Sequence, residues 1–204
     1  MAISIVSREK WGARPPRGIP QHVDWPEGVD LWVHHTTGPR SQTPRDIQAF
    51  HQNVRGWNDV GYGYLIDFEG VIYEGRGFEV WGAHSPGKNH EPSVALIGDY
   101  SKTPPSDAQH RAVYALRDHL HAGRLRGHRE NTPTTCPGDA AYAKIVKGPP
   151  PAKPRKYFFE RIDDGKTVLT WGPYSRKIRR DAYYLLIRAA HPSWALRKYS
   201  KEAK

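Results

Sequence analysis

The chain has 204 residues, of which 37% are hydrophobic, 11% aromatic and 25% charged, and its seven Trp and eleven Tyr exclude a disordered polymer. That length buries one good core and leaves about fifty residues for a small second module. No run approaches the roughly 20 apolar residues that span a bilayer, and a single cysteine, Cys136, excludes an internal disulfide.

The first residues, MAISIVSREKWGARPP, hold no apolar stretch long enough for a signal peptide, so the expectation is a chain made without a secretion signal. Leu31 to His34 reads as a short strand. Thr43-Pro44-Arg45-Asp46 is a helix start with Pro at the first helical position, and Ile47, Phe50, His51 and Val54 fall on one face before Gly56 ends it. Tyr62–Asp67 and Val71–Glu74 predict a hairpin around Phe68-Glu69-Gly70, and Ser93–Ile97 a further buried strand. A second helix runs from Ser106 to His121, opened by Ser106 with Gln109 three residues on and closed by Gly123. A third, short helix spans Asp139 to Val146. Strands interleaved with helices predict an α/β domain with a mixed central sheet flanked by helices. The boundaries are a domain over residues 1–146, a linker over 147–156, where four prolines favour an extended spacer, and a module over 157–204.

Two segments carry ligand chemistry. Gly127-His128-Arg129-Glu130-Asn131-Thr132-Pro133-Thr134-Thr135-Cys136-Pro137-Gly138 is a loop whose imidazole and thiol, His128 and Cys136, can reach one ion at about 2.0–2.3 Å. Two ligands do not make a site. The third comes from Trp32-Val33-His34-His35-Thr36-Thr37, where strand alternation sends His34 and His35 to opposite faces, and spacing alone does not choose between them.

Together with Trp11-Gly12-Ala13-Arg14, Phe50-His51, Gly56-Trp57-Asn58-Asp59-Val60-Gly61-Tyr62, Tyr73-Glu74-Gly75-Arg76-Gly77 and Gly82-Ala83-His84, these segments resemble the zinc amidases of bacteriophage-lysozyme and peptidoglycan-recognition-protein type. The resemblance covers nearly all of residues 6–146 in order, and residues 151–204 lie outside it. It implies one Zn2+ per chain held by His34, His128 and Cys136, with the fourth tetrahedral position open as in a catalytic site. It implies hydrolysis of the amide between N-acetylmuramic acid and L-alanine in bacterial peptidoglycan. Tyr62 takes the position of the family's catalytic tyrosine. Thr134 stands where the bacteriophage enzymes often have lysine, as it does in catalytic recognition proteins. His84 is expected to line the substrate cleft, and Trp57 and Asn58 to shape its floor or rim. The alternatives are a non-catalytic peptidoglycan binder, whose relatives typically lack the cysteine ligand, and a bacterial autolysin or cytosolic wall-recycling amidase. The preferred setting is a bacteriophage endolysin, monomeric, made in the host cytoplasm and acting on the wall after release at lysis.

The tail has its own character. Residues 1–150 hold 17 Lys and Arg against 16 Asp and Glu, whereas residues 151–204 hold 14 against 5, so the net charge of +10 belongs almost entirely to the end of the chain. Tyr157–Arg161 and Thr167–Trp171 flank Asp163-Asp164-Gly165-Lys166, a hairpin signal, and Ser175 to Ala190 follows as a helix. A compact ββα module with this charge is expected to hold an anionic cell-wall polymer, with nucleic acid the less favoured ligand.

Overall fold

The computed structural model describes residues 3–148, 155–163, 166–174, 184–185, 187 and 195–202. The chain divides into two compact units, Met1–Pro151 and Ala152–Lys204. No helix among the described residues is long and apolar enough to cross a membrane.

The first unit is built on β1 (Ile5–Val6), β2 (Leu31–His35), α1 (Pro44–Asn53), β3 (Tyr64–Ile66), β4 (Ile72–Glu74), β5 (Ser93–Leu96), α2 (Asp107–His119), β6 (Leu125–Gly127) and α3 (Asp139–Ala141). A 3-10 turn, His128–Glu130, follows β6, and a π turn, Tyr142–Val146, continues α3. The strands form one sheet in the order β1-β4-β3-β5-β2-β6, in which only the β3–β4 hairpin is antiparallel. This is the mixed α/β sheet that the interleaved pattern predicts. β2 is buried along its whole length, as expected of a strand paired in parallel on both sides and covered on both faces. The main core gathers Leu31, Val33, Tyr64, Ile66, Val94 and Leu96 against Val113 and Leu116 of α2, and Ile47, Val60, Leu65 and Ile97 form a second cluster under α1.

Both long helices start on capping boxes. Thr43 accepts from the Asp46 amide while Asp46 accepts from the Thr43 amide, and Ser106 and Gln109 do the same for α2. The face that α1 buries differs from the apolar stripe its sequence suggests. Gln48 and Gln52 are buried beside Ile47 and His51, while Phe50 and Val54 are 44% and 69% exposed. The reason is polar: Gln48 accepts from the Arg14 amide and donates to the Arg14 carbonyl and to Asp59, and Gln52 donates to the carbonyls of Pro15 and Asn58. α1 thus packs on the N-terminal segment through side-chain amides, while Ile47 joins the apolar cluster beneath it.

The second unit is a three-stranded antiparallel sheet of order β8-β7-β9, made of β7 (Arg155–Asp163), β8 (Lys166–Tyr174) and β9 (Ala195–Glu202). Asp163 pairs with Lys166 at the hairpin end. Pro173, which has no N–H to give, sits in β8 at the edge of the sheet. The ββα expectation stops one strand short. β9 pairs with β7 over eight registers, although its sequence, ALRKYSKE, has no β-branched residue to announce a strand. Most of the helix expected from Ser175 to Ala190 and most of the 147–156 linker lie outside the described residues; Tyr184, Leu185 and Ile187 are helical.

Candidate active site

The site forms where the sheet brings two strand ends together. Val33 of β2 pairs with Gly127 of β6 in parallel register, so the next residues, His34 within β2 and His128 in the turn after β6, come side by side, their ring centroids 4.7 Å apart. Gly127 is required there: a Cβ would stand 2.7 Å from the Tyr142 ring. Cys136 returns to the pair on the loop after the 3-10 turn. Arg129 holds that loop, its amide donating to the Cys136 carbonyl at 3.0 Å and its guanidinium to the Thr135 carbonyl and, at 2.7 Å, to Asp139.

One ligand atom each from His34, His128 and Cys136 lies within 4.8 Å of the others. His34 Nδ1 is 3.6 Å from Cys136 Sγ, and His128 Nε2 is buried with no hydrogen-bond partner. A buried imidazole nitrogen without a partner is costly unless something else satisfies it. Burial, with the neighbouring imidazoles next, holds His34 well below the usual histidine range, and burial lowers His128. Both therefore keep a lone pair at neutral pH. Burial also pushes the Cys136 thiol up to about 11, a shift that a bound cation would reverse, because a coordinating thiol loses its proton. The donor set can hold a metal ion.

His35 points to the opposite face. Its Nδ1 accepts from the Tyr100 amide at 3.2 Å and lies 3.7 Å from Asp99. The two tyrosines separate as well. Tyr62 precedes β3, and its ring centroid lies 5.3 Å from that of His34 and 5.6 Å from that of His51, whereas Tyr64 is 5% exposed within the main core. Burial, and then the Cys136 sulfur, raise the Tyr62 phenol, so it keeps its proton at neutral pH as a donor. Thr134 is exposed beside the cysteine, its hydroxyl accepting from the Cys136 amide at 3.2 Å.

A cleft of about 340 Å3 opens at Tyr62 and is lined also by Thr36, Phe50, His51, Arg55 and Trp57. Trp57 stands in the cleft wall, its ring centroid 4.7 Å from that of His51. Asn58 does not: it lines a separate cavity of about 310 Å3 with Arg8, Arg76 and Trp81, because the chain turns away after Trp57 to bury Asp59 against Arg8 and Gln48. His84 is also displaced from the expected cleft wall. It is 6% exposed and sits behind His34, with both ring nitrogens engaged, Nδ1 with His34 Nε2 and Nε2 with the Glu91 carbonyl, each at 3.1 Å. Phe50, Arg55 and Thr36 were given no role from sequence. Phe50 falls on one helical face with Ile47, His51 and Val54 in the sequence, yet it is exposed because α1 buries Gln48 and Gln52.

Residues 28–139 match the model of the family described as N-acetylmuramoyl-L-alanine amidase. The chain belongs to this family. The human protein named N-acetylmuramoyl-L-alanine amidase is 38% identical over 160 residues, 68% of this chain and 27% of that protein, so the chain spans about a quarter of that relative's length. Peptidoglycan-recognition protein LB of Drosophila melanogaster is 37% identical over 161 residues, 71% of this chain and 68% of that protein. Its wild-type structure superimposes with a TM-score of 0.65 at 35% identity, covering 72% of this chain and 94% of that one. Peptidoglycan recognition protein LE, solved in complex with tracheal cytotoxin, a monomeric diaminopimelic acid-type peptidoglycan, gives 0.66 at 30% identity over 71% of this chain and 94% of its own. The family's common segment therefore holds the metal-ligand cluster and the cleft, and the second unit begins beyond it.

Proposed function

We propose that the protein is a zinc-dependent N-acetylmuramoyl-L-alanine amidase that cuts the bond between the glycan strand and the stem peptide of peptidoglycan. The observation that carries this reading is the His34, His128 and Cys136 cluster with its unsatisfied His128 nitrogen, beside Tyr62, which also lines the cleft. Tetrahedral zinc with bonds of about 2.0 Å to nitrogen and 2.3 Å to sulfur separates two such ligands by about 3.5 Å, close to the 3.6 Å between His34 Nδ1 and Cys136 Sγ. Zinc bound there would activate water at neutral pH and polarise the scissile carbonyl. The protein's own groups do the rest. The Tyr62 phenol, kept protonated, donates a hydrogen bond to the carbonyl oxygen as negative charge develops on it. Thr134, exposed beside Cys136, supports the same oxygen or the departing amine. Trp57 and Phe50 supply apolar walls for the substrate, and Arg55 a positive charge for the carboxylates of a peptide.

The presence of Cys136 favours catalysis over binding alone, because it completes the three-ligand set. The test is to digest purified sacculi and analyse the fragments by mass spectrometry. Glycan free of peptide, with new L-alanine amino termini and a requirement for zinc after chelation, is the expected outcome. Sacculi that bind the protein but release nothing would turn the reading to a peptidoglycan binder.

We extend the proposal in two directions. The unit after Pro151, with 14 basic against 5 acidic residues over 151–204, holds the enzyme on an anionic wall polymer, since a tethered second contact raises the effective concentration of an enzyme on an insoluble substrate. The setting is a bacteriophage endolysin reaching the wall from the host cytoplasm at lysis. This setting rests on the resemblance of the sequence motifs alone, and its test is whether cells making the protein lyse only when their membrane is permeabilised.

A further inference from the structure

We propose that His84 is a positioning residue that locks the His34 imidazole in the tautomer whose Nδ1 lone pair faces Cys136 and His128, through a relay that starts at the Glu91 carbonyl. The role as a metal-site device rests on the amidase reading above; the relay itself rests on geometry alone.

A backbone carbonyl accepts hydrogen bonds and never donates. Glu91 O lies 3.1 Å from His84 Nε2, so neutral His84 carries its proton on Nε2 and presents a lone pair at Nδ1. That lone pair is 3.1 Å from His34 Nε2, which must therefore be the N–H of His34. One proton is left to a neutral imidazole, so His34 Nδ1 is bare, and it is this nitrogen that stands 3.6 Å from Cys136 Sγ. Each choice is forced by the one before.

The relay is anchored at its outer end. Trp32 Nε1, on the same strand as His34, donates to one Glu91 carboxylate oxygen at 2.6 Å, and Lys88 Nζ donates to the other at 2.7 Å. Asn89 Oδ1 accepts from the amides of His84 and Ser85 at 2.8 and 2.9 Å, fixing the backbone that carries the ring. Gly82 makes the room, because a Cβ there would stand 2.5 Å from His84 Cδ2. A histidine without such a partner exchanges between tautomers, and the form with a proton on Nδ1 cannot bind metal through that nitrogen.

The test compares wild type with His84→Leu, which removes the acceptor, and His84→Asn, whose side-chain oxygen can stand near the lost Nδ1. Nitrogen-15 NMR of the histidine rings in the metal-free protein should find His34 as the Nε2–H tautomer in wild type and as a mixture in His84→Leu. Chelator competition should show zinc affinity falling about 10- to 100-fold in His84→Leu and largely restored in His84→Asn, with the metal-free melting temperature checked for each. An Nδ1–H tautomer of His34 in the wild-type protein overturns the proposal without any variant, as does an unchanged zinc affinity in a folded His84→Leu protein. A wild-type protein that takes up no zinc would instead defeat the amidase reading, and the tautomer measurement would still decide the relay.

Discussion

Replacing Tyr62 by Phe isolates one atom of the proposed chemistry. The ring packs against the cluster of Ile47, Val60, Leu65 and Ile97, and Phe keeps that packing, so the substitution removes only the hydroxyl that faces the site. Burial holds that hydroxyl in its protonated form, so on the proposed function it is available to donate to the scissile carbonyl oxygen at neutral pH. A positioned donor of this kind contributes about 3–4 kcal/mol to the transition state, or roughly 100- to 1000-fold in kcat/KM. Tyr64→Phe is the control, because Tyr64 lies in the main core, 5% exposed and away from the ligand cluster. Turnover of a soluble muropeptide should fall by two to three orders of magnitude in Tyr62→Phe at unchanged zinc content and melting temperature, and stay within about threefold of wild type in Tyr64→Phe. Loss of the same size in both would mean that the hairpin packing is being measured. Full activity in Tyr62→Phe would refute the donor role.

Cys136→Ser should lower bound zinc well below one per chain and abolish clearing of cell walls, as read by metal analysis and turbidity, and a zinc-free Cys136→Ser protein with full activity would end the metal hypothesis. His51 is held near pKa 4, first by burial and then by Arg55 and Arg76, while an unfolded chain takes up the same proton near 6.5. Between those values the unfolded state binds more protons, so stability falls as pH drops from 6.5 to 4, by about 3 kcal/mol from this group. His51→Asn, which keeps an acceptor for the Gly61 amide that now bonds His51 Nδ1, should flatten that slope in urea unfolding at pH 7 and 4.5. Truncation after Pro151 should leave zinc binding and hydrolysis of soluble muropeptides intact but weaken sedimentation with whole walls at low salt; equal wall binding by truncated and full-length proteins would defeat the tethering role, and binding to DNA in place of walls would reassign it.

Much of this molecule is legible in the sequence where one local rule dominates. The capping boxes at Thr43 and Ser106, the buried run of β2 and the hairpin between β3 and β4 each follow from propensity and period. β1 and β6, of two and three residues, are too short to show a period at all, and they exist because β4 and β2 offer edges to pair with. The polar face of α1 is hidden for a different reason: Gln48 and Gln52 are buried because backbone groups of residues 14, 15 and 58 receive them, a long-range fact that no helical wheel contains. Alternation separates His34 from His35 but does not say which one shares a face with His128, and the place of His84 is hidden because its partner, the Glu91 carbonyl, has no side-chain signature.

The arrangement of the ligands carries a division of labour. His34, within β2, and His128, the first residue after β6, each follow the paired position Val33–Gly127, so their separation is set largely by the sheet. Cys136 reaches them across a loop, held mainly by Arg129 through the Cys136 and Thr135 carbonyls and anchored by Asp139. The member of the donor set held by a loop is thus also the one whose thiol burial pushes up to about 11, so it would have to lose a proton to bind a cation. Substitutions in the sheet would therefore change the spacing of the two imidazoles, whereas substitutions around Arg129 would change only how the third member of the cluster is held.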